Sequence, residues 1–206
     1  MLLADIGNTR THIYNGKSVI HLLHKEVLES YKDKELFYIC VSLDMSEKIK
    51  DLTNWTNISN TIHIKGEYDT MGIDRKALCL SHKDGIFVDA GSAITVDVVK
   101  ENEYQGGFIL LGINAWLNAY KGISSALGVE INHNCSLAKL PKTTKDSISY
   151  GIIASIKAVI ETNSFGLPIY FTGGDGEWLS SYFKNSIYDE FLVFKGIQKA
   201  LKENKC

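Results

Sequence analysis

The sequence predicts an α/β protein built from two related halves, and three observations support this fold class. Apolar runs of strand length alternate with helical patterns along the chain. The pattern Asp-x-Gly-x-x-x-Thr occurs twice, at Asp5–Thr11 and at Asp89–Thr95. Each copy directly follows an apolar run, Met1–Ala4 or Ile86–Val88, so each is expected where a buried strand ends. A motif repeated behind a strand indicates a duplicated unit.

Residues 1–83 are expected to form an N-terminal lobe and residues 84–206 a C-terminal lobe. In the first lobe, apolar runs bounded by turn residues predict strands at Leu2–Asp5, Thr11–Tyr14, Ser18–Leu22, Glu35–Val41 and Thr61–Ile64. Helices are predicted at Ser46–Trp55 and Gly72–Leu80. Ser46 is predicted to cap the first of these helices, because a serine hydroxyl satisfies a free N–H group at a helix start.

The second half repeats this scheme. Its predicted strands are Gly85–Asp89, Thr95–Lys100, Gly107–Leu111, Leu167–Phe171 and Phe191–Phe194, and its predicted helices are Ile113–Leu127, Thr144–Thr162, Gly176–Phe183 and Gly196–Lys202. The helix predicted at Ile113–Leu127 has apolar residues at helical spacing. Its apolar surface is larger than one buried face needs, which fits either a buried helix or a dimer interface. Thr144 is predicted to be the N-cap of the next helix.

The composition narrows the classes of partner. A hydrophobic fraction of 45% and a charged fraction of 22% are ordinary for a globular protein, and a net charge of -2 argues against nucleic-acid and membrane partners. No apolar stretch reaches the length of a spanning helix, and the N-terminus leads straight into the first turn, so a cytoplasmic protein without a signal peptide is expected. The cysteines match no zinc spacing and are expected to be reduced, with Cys206 exposed.

The two Asp-x-Gly turns indicate a nucleotide held between two lobes. Glycine lets the backbone approach an anion, N–H groups and hydroxyls face phosphate oxygens, and aspartate suits the metal ion that accompanies them. One copy alone is equally well explained by turn chemistry, but the second copy favours phosphate binding. A third element, Gly173–Gly174, follows a predicted strand and is interpreted as the wall of an adenosine site.

Two Asp-x-Gly turns and a late Gly-Gly pair resemble the fold shared by acetate kinase, sugar kinases, Hsp70 and actin. That resemblance implies a duplicated ribonuclease H-like, actin-like ATPase fold of two lobes, with mixed sheets flanked by helices. Four segments narrow the resemblance to the type III pantothenate kinases, and they occur in the family's order: Asp5–Thr9, Gly72–Arg75, Asp89–Ala93 and Gly106–Gly112. The family's last segment has proline where this chain has Leu111.

The resemblance implies a kinase that phosphorylates the hydroxyl of pantothenate with ATP, the first step of coenzyme A biosynthesis. It implies that Asp74 is the catalytic base, that Asp5 lies near Mg²⁺, and that Asp89 binds a monovalent cation, K⁺ or NH₄⁺. The residues expected to bind ATP are Asp5, Ile6, Gly7, Asn8, Thr9, Arg10, Thr11, His12, Ser92, Gly173 and Gly174. Those expected to bind pantothenate are Gly72, Ile73, Asp74, Arg75 and Thr144, with Tyr68 as the nearest candidate for the family's pocket tyrosine. In family dimers the threonine that corresponds to Thr144 reaches pantothenate from the partner subunit, so the resemblance implies a homodimer.

The chemistry of Asp74 and Arg75 fits these roles on its own. A kinase that acts on a primary alcohol needs an acceptor for the hydroxyl proton, and a guanidinium fork suits a carboxylate such as that of pantothenate. An Asp-Arg pair without these flanking motifs would be explained as a helix-start carboxylate beside a surface arginine. Thr144 is explained equally well as a substrate ligand or as a helix cap.

Three alternatives remain open at this stage. Another acyl or sugar kinase of the same superfamily would generally need a longer chain. A catalytically inactive, nucleotide-binding accessory or regulatory protein would keep the fold without the chemistry, which the presence of Asp5, Asp74, Arg75 and Asp89 disfavours. An actin-like filament protein would need insertions for which a chain of 206 residues has little room.

Overall fold

The computed structural model describes residues 1–203, so Cys206 lies outside the described residues. These residues form two compact units. One unit contains Met1–Lys83, Val99–Gln105 and the segment that begins at Glu190, and the other contains Asp84–Val98 and Gly106–Asp189. The predicted lobes, 1–83 and 84–206, are defined by their nucleotide-binding turns, whereas these units are defined by packing. The predicted lobes therefore stay a prediction. Within residues 1–203, no helix has both the length and the apolar character needed to cross a bilayer.

The first unit contains a five-stranded sheet in the order β3-β2-β1-β4-β5. Its strands are β1 (Leu2–Ile6), β2 (Arg10–Tyr14), β3 (Val19–Leu23), β4 (Leu36–Cys40) and β5 (Trp55–Asn57), and its first helices are α1 (His24–Tyr31), α2 (Leu43–Ile49) and α3 (Ile73–Leu80). β1 pairs antiparallel with β2 and parallel with β4, so the sheet is mixed.

The second sheet has the equivalent order, β10-β9-β6-β7-β8. Its strands are β6 (Gly85–Ala90), β7 (Ala93–Lys100), β8 (Glu103–Leu111), β9 (Ile169–Thr172) and β10 (Ser186–Tyr188), and the helices that follow β8 are α4 (Ile113–Ile123), α5 (Thr144–Thr162), α6 (Gly176–Ser180) and α7 (Leu192–Glu203). β6 pairs parallel with β9, and only two residues join β6 to β7, a connection that requires an antiparallel pair. The predicted duplicated α/β fold is therefore confirmed.

Each unit has a hydrophobic core of its own. In the first, Ile6 and Ile13 of the sheet pack with Met45 and Ile49 of α2. The two α2 residues are four positions apart, so they lie on one face of the helix. In the second, the core includes Val88 and Phe171 of the sheet and Ile152 and Ile156 of α5. Burial of these faces holds both sheets and thereby the turns at their strand ends.

Two predicted elements of the first unit, a helix and a strand, are wrong in position or type. The helix predicted at Ser46–Trp55 is α2, and Ser42 caps it by accepting the Met45 N–H group. Trp55 instead begins β5, which pairs with β4. No strand forms at Thr61–Ile64: Ile62 and Ile64 are both buried and so give the alternation of a strand, but the chain there makes a 3₁₀ turn that ends at Thr61.

The C-terminal prediction needs a similar correction. The strand predicted at Phe191–Phe194 is the start of α7, whose residues Leu192 and Phe194 are buried. A short apolar run does not distinguish a strand from a buried helix turn by its period. The last strand of the second sheet is β10, which pairs with β9 and which the sequence did not predict.

Candidate active site

The N-terminus of α3 carries Asp74 and Arg75, which the sequence motifs assign to the substrate that accepts the phosphoryl group. Gly72 is the N-cap, and Asp74 and Arg75 lie in the first turn. Asp74 Oδ1 accepts the Arg75 N–H group at 2.8 Å, and burial of the carboxyl raises the pKa of Asp74. A Cβ atom at Gly72 would come 2.5 Å from this oxygen, so glycine leaves the space that the carboxylate occupies.

Arg75 is only 6% exposed and donates to two tyrosine hydroxyls. Its Nη1 donates to Tyr68 Oη at 2.7 Å, and its Nη2 donates to Tyr104 Oη at 3.3 Å. The interpretation as a surface arginine is therefore wrong. Tyr68, chosen from the sequence as the nearest candidate, lies next to Arg75, whereas Tyr104 was missed. Its position in β8, remote in sequence from α3, gave no signal of this contact.

Helix α7 fixes the position of α3. A Cβ atom at Gly196 would overlap the carbonyl group of Ala77, so the two helix backbones lie in direct contact there. Ala77, Leu78 and Leu80 of α3 are buried with Ile197 of α7. Asp74 and Arg75 thus lie at the start of a helix that packs closely against α7.

The first Asp-x-Gly turn connects β1 to β2. The Gly7 N–H group donates to the Arg10 carbonyl at 3.0 Å and closes the turn. Asn8, Thr9 and Arg10 are exposed, so a ligand can reach this side of the turn. Ile6 and Thr11 are completely buried, and the Thr11 hydroxyl has no hydrogen-bond partner among the described residues.

Three histidines surround this turn. His24 Nε2 donates to the Gly7 carbonyl at 3.0 Å, a contact that the sequence did not suggest. His12 and His21 are cross-strand partners, and their Nδ1 atoms are 2.5 Å apart. Burial, with the nearby His21 and Arg10, lowers the pKa of His12 to about 4, so His12 is neutral near pH 7.

The second Asp-x-Gly turn connects β6 to β7 and is also closed by a bond from its glycine, to a carbonyl two residues on rather than three. The Gly91 N–H group donates to the Ala93 carbonyl at 3.0 Å, and Ser92 is exposed. A Cβ atom at Gly112 would overlap the carbonyl oxygens of Gly91 and Ser92. The final glycine of the Gly106–Gly112 segment therefore lies directly against the turn, and Leu111 in place of the family's proline leaves that contact in place.

The Gly-Gly pair adjoins this second turn. A Cβ atom at Gly173 would overlap Asp89 Oδ1 and lie 2.6 Å from the Ala90 carbonyl oxygen, and Gly173 has a φ of 86° that favours glycine. Gly174 is exposed with open space around it. Asp89, Gly91, Gly112 and Gly173 are thus brought together in the second unit.

Thr144 is not the helix cap that the sequence predicted. Thr143 caps α5 by accepting the Asp146 N–H group at 3.2 Å, and its hydroxyl donates to Asp146 Oδ2 at 2.8 Å. Asn132 also donates to Asp146, and these two hydrogen bonds lower the pKa of that carboxyl. Because Thr143 does the capping, the exposed Thr144 hydroxyl is not committed to the helix.

The first turn carries a donor that suits a magnesium–nucleotide complex. Mg²⁺ in phosphoryl-transfer sites is held by one or two carboxylates and by phosphate oxygens, and the Asp5 carboxylate lies near the end of β1. Asp89 lies at the corresponding place in β6, and its carboxylate suits a cation as well. Gly174 is exposed with open space around it, and Gly7 and Gly91 are partly exposed, so an anion can approach the backbone at these glycines. Within residues 1–203 no group of three or more His, Cys, Asp or Glu side chains forms a metal cluster.

The two mixed sheets and their flanking helices form an actin-like ATPase fold. Among solved structures, the activator of 2-hydroxyisocaproyl-CoA dehydratase from Clostridium difficile, with bound ADPNP, has the same fold. It is 10% identical, the similarity covers 100% of this chain and 97% of that chain, and the TM-score is 0.55.

The chain belongs to the type III pantothenate kinase family, whose model matches residues 47–164. The type III pantothenate kinase of Sulfurimonas denitrificans is 42% identical over 100% of both chains. A Campylobacter jejuni crystal structure, described as a Baf family transcriptional activator, is 38% identical with a TM-score of 0.91, covering 100% of this chain and 99% of that one. The family expected from the four sequence segments is confirmed.

Proposed function

We propose that the protein transfers the γ-phosphoryl group of ATP to the hydroxyl of pantothenate, the first step of coenzyme A biosynthesis. The observation that carries the proposal is the pair of acceptor residues at the start of α3, one a half-buried carboxylate and the other a buried guanidinium. Membership of the type III pantothenate kinase family supports the same reaction. The comparisons give no support to a catalytically inactive accessory protein.

Arg75 is the proposed partner of the pantothenate carboxylate. A guanidinium pairs with a carboxylate through two parallel N–H bonds, which fixes orientation as well as charge. Tyr68 is 42% exposed while its hydroxyl contacts Arg75, so its ring is accessible to the same ligand. Gly72 and Ile73 supply backbone at the helix start. Thr144 is proposed to reach pantothenate in the partner subunit, which its uncommitted hydroxyl supports.

Asp74 is the proposed base. Burial raises the pKa of its carboxyl, and a more basic carboxylate is a better acceptor for the proton of an attacking hydroxyl. The carboxylate would hold the hydroxyl and accept its proton as the hydroxyl oxygen bonds to the γ-phosphorus of ATP. The bond between that phosphorus and the β,γ-bridging oxygen breaks, and ADP leaves with the displaced charge. Orientation of the two substrates supplies much of the remaining acceleration.

The ATP site is proposed to comprise both Asp-x-Gly turns and the Gly-Gly pair. In the first turn Asn8, Thr9 and Arg10 present side chains, whereas the buried Ile6 and Thr11 contribute through their backbone, as His12 does. Ser92, Gly173 and Gly174 act in the second unit. Asp5 would hold Mg²⁺ and Asp89 a monovalent cation. Bound there, these ions neutralise charge on the transferring group.

A coupled ADP-release assay with ATP, Mg²⁺ and pantothenate tests this function, in potassium and then in sodium buffer. Pantothenate-dependent turnover is expected, lower in sodium. Asp74→Asn is expected to fold normally and to lose about 10²–10⁴-fold in kcat, the usual contribution of a positioned base. Asp44→Asn is the matched control, since Asp44 also lies in the first turn of a helix in the same unit. Wild-type kcat in Asp74→Asn would remove Asp74 as the base.

A homodimer in the cytoplasm is the proposed state. β8 is an edge strand of the second sheet, and its residues Ile109 and Leu111 are 59% and 49% exposed. Ile123 at the end of α4 is 75% exposed. An edge strand with exposed apolar side chains is a surface that a second chain can cover. Sedimentation equilibrium should give the mass of two chains, and the mass of one chain would contradict the dimer.

A further inference from the structure

Tyr104 lies in the acceptor site although it comes from a distant part of the chain. It belongs to β8, yet the segment Val99–Gln105 is part of the first unit, together with α3. A tight turn at Glu101 and Asn102, whose φ values are 55° and 60°, reverses the chain between β7 and β8. The β7–β8 hairpin thus delivers the Tyr104 side chain to Arg75.

The backbone of Tyr104 is fixed by the segment that precedes Tyr68. The Tyr104 N–H group donates to the Lys65 carbonyl at 2.8 Å. Gly66 has a φ of 84°, and a Cβ atom there would lie 2.6 Å from the Tyr104 carbonyl oxygen, so the two backbones are in close contact. Lys65 and Glu103 form an ion pair at 2.7 Å beside this contact. The two tyrosine rings, 6.1 Å apart, therefore have fixed relative positions.

Two hydrogen bonds on different nitrogens determine the plane of a guanidinium group. Tyr68 binds Nη1 and Tyr104 binds Nη2, and the two acceptors differ in environment. Tyr68 is 42% exposed, so ligand and solvent can compete for its hydroxyl, whereas Tyr104 is 8% exposed. Because Tyr104 is buried, water has little access to its contact with Arg75, and we expect this contact to persist when a substrate binds.

We propose that Tyr104 is a positioning residue for pantothenate: its buried hydroxyl holds the Arg75 guanidinium in the plane that pairs with the substrate carboxylate. The proposal rests on the proposed function of Arg75. If Tyr104 has this role, the tip of the β7–β8 hairpin is part of the proposed pantothenate site. Because Tyr104 acts through Arg75 in this proposal, its loss should affect pantothenate binding rather than the phosphoryl-transfer step.

Steady-state kinetics of Tyr104→Phe test the proposal, with Tyr38→Phe as the control. Tyr38 is also a buried tyrosine of the first unit, 9% exposed, whose ring packs in the sheet core. Tyr104→Phe should raise the KM for pantothenate about tenfold, equivalent to about 1.4 kcal/mol, because an acceptor of a charged donor is lost. The kcat and the KM for ATP should stay within about twofold, and Tyr38→Phe should match the wild type.

A double-mutant cycle separates this inference from the proposed function. In an Arg75→Met background, Tyr104→Phe should change pantothenate binding, measured by calorimetry, by less than about twofold, since the group it positions is gone. An equal effect in both backgrounds, or no effect in the wild type, overturns the role of Tyr104. An Arg75→Met variant with unchanged pantothenate affinity overturns the proposed role of Arg75 instead. If Tyr104→Phe does not fold, Tyr104→Met, which fills the site without a hydroxyl, takes its place in the cycle.

Discussion

The two Asp-x-Gly turns are closed by similar hydrogen bonds but have different supports. In each, the glycine N–H group donates across the turn at 3.0 Å, to Arg10 in the first and to Ala93 in the second. The residue before each glycine accepts a further backbone bond: Ile6 from Val41 at 3.0 Å, and Ala90 from Asp175 at 2.9 Å. In both units the donor comes from the segment that follows the parallel strand: Val41 directly follows β4, and Asp175 lies three residues after the end of β9.

The supports behind the turns have diverged. Gly112 and Gly173 press backbone against the second turn and its strand end, whereas the first turn is one residue longer and is supported by the His24 side chain. Backbone contacts are harder to displace than a single side-chain hydrogen bond. The comparison indicates that the second turn is the more rigid element and that the first can adjust to its ligand.

The largest effect is expected where a backbone contact of the second turn is removed. Gly112→Ala should lower the free energy of unfolding by about 3 kcal/mol, the upper range for overpacking, because the new methyl group overlaps two carbonyl oxygens. The KM for ATP should rise as the turn shifts. Urea unfolding and kinetics measure both.

Gly122→Ala is the control for this substitution. Gly122 lies in α4 with open space around it, so alanine there should be neutral or should stabilise by up to about 1 kcal/mol. If Gly112→Ala unfolds at the wild-type urea concentration, the second turn is not held by its backbone neighbours and the contrast with the first turn disappears.

A smaller effect is expected at the first turn. His24→Ala removes one hydrogen bond to the Gly7 carbonyl, and should lower the free energy of unfolding by about 1 kcal/mol. The KM for ATP should rise by less than in Gly112→Ala. Lys25→Ala, an exposed neighbour in α1, controls for helix propensity. A loss larger than that of Gly112→Ala would reverse the order of rigidity that we infer.

The sequence predicted those parts of the molecule whose pattern is local. The strands that lead into both turns, the helix that carries Asp74, and the full span of α5 follow from apolar runs and helical spacing. The apolar run Phe191–Phe194 fits either a strand or a helix, and only packing of α7 against α3 decides it. Ser42 and Thr143 take the capping roles because each lies next to the true helix start, one or more residues before the predicted cap.

The candidate site shows the same limit. Motif positions such as Asp74 and Gly173 could be chosen from the sequence, and the structure brings Asp89 and Gly173 together. Tyr104 and His24 could not be chosen, because each acts on a motif residue through a contact that exists only after the sheet has formed. A residue that supports a site through such a contact belongs to no sequence motif, so the sequence gives no signal of its role.

The smallest effects are expected from two carboxylates, each in the first turn of a helix, one in each unit. Burial raises the pKa of Asp74 above 3.8, so its ionisation costs stability, fully above the folded-state pKa and not at all below 3.8. Hydrogen bonds from Asn132 and Thr143 lower the pKa of Asp146, so its ionisation contributes stability that is present above 3.8 and lost as the pH falls through the folded-state value. Asp74→Asn should therefore be more stable than the wild type at about pH 7, and Asp146→Asn less stable. The Asp74 difference should shrink in urea unfolding at about pH 4, whereas the Asp146 difference should shrink only as the pH falls below 3.8. The same sign for both variants at about pH 7 would contradict the contrast.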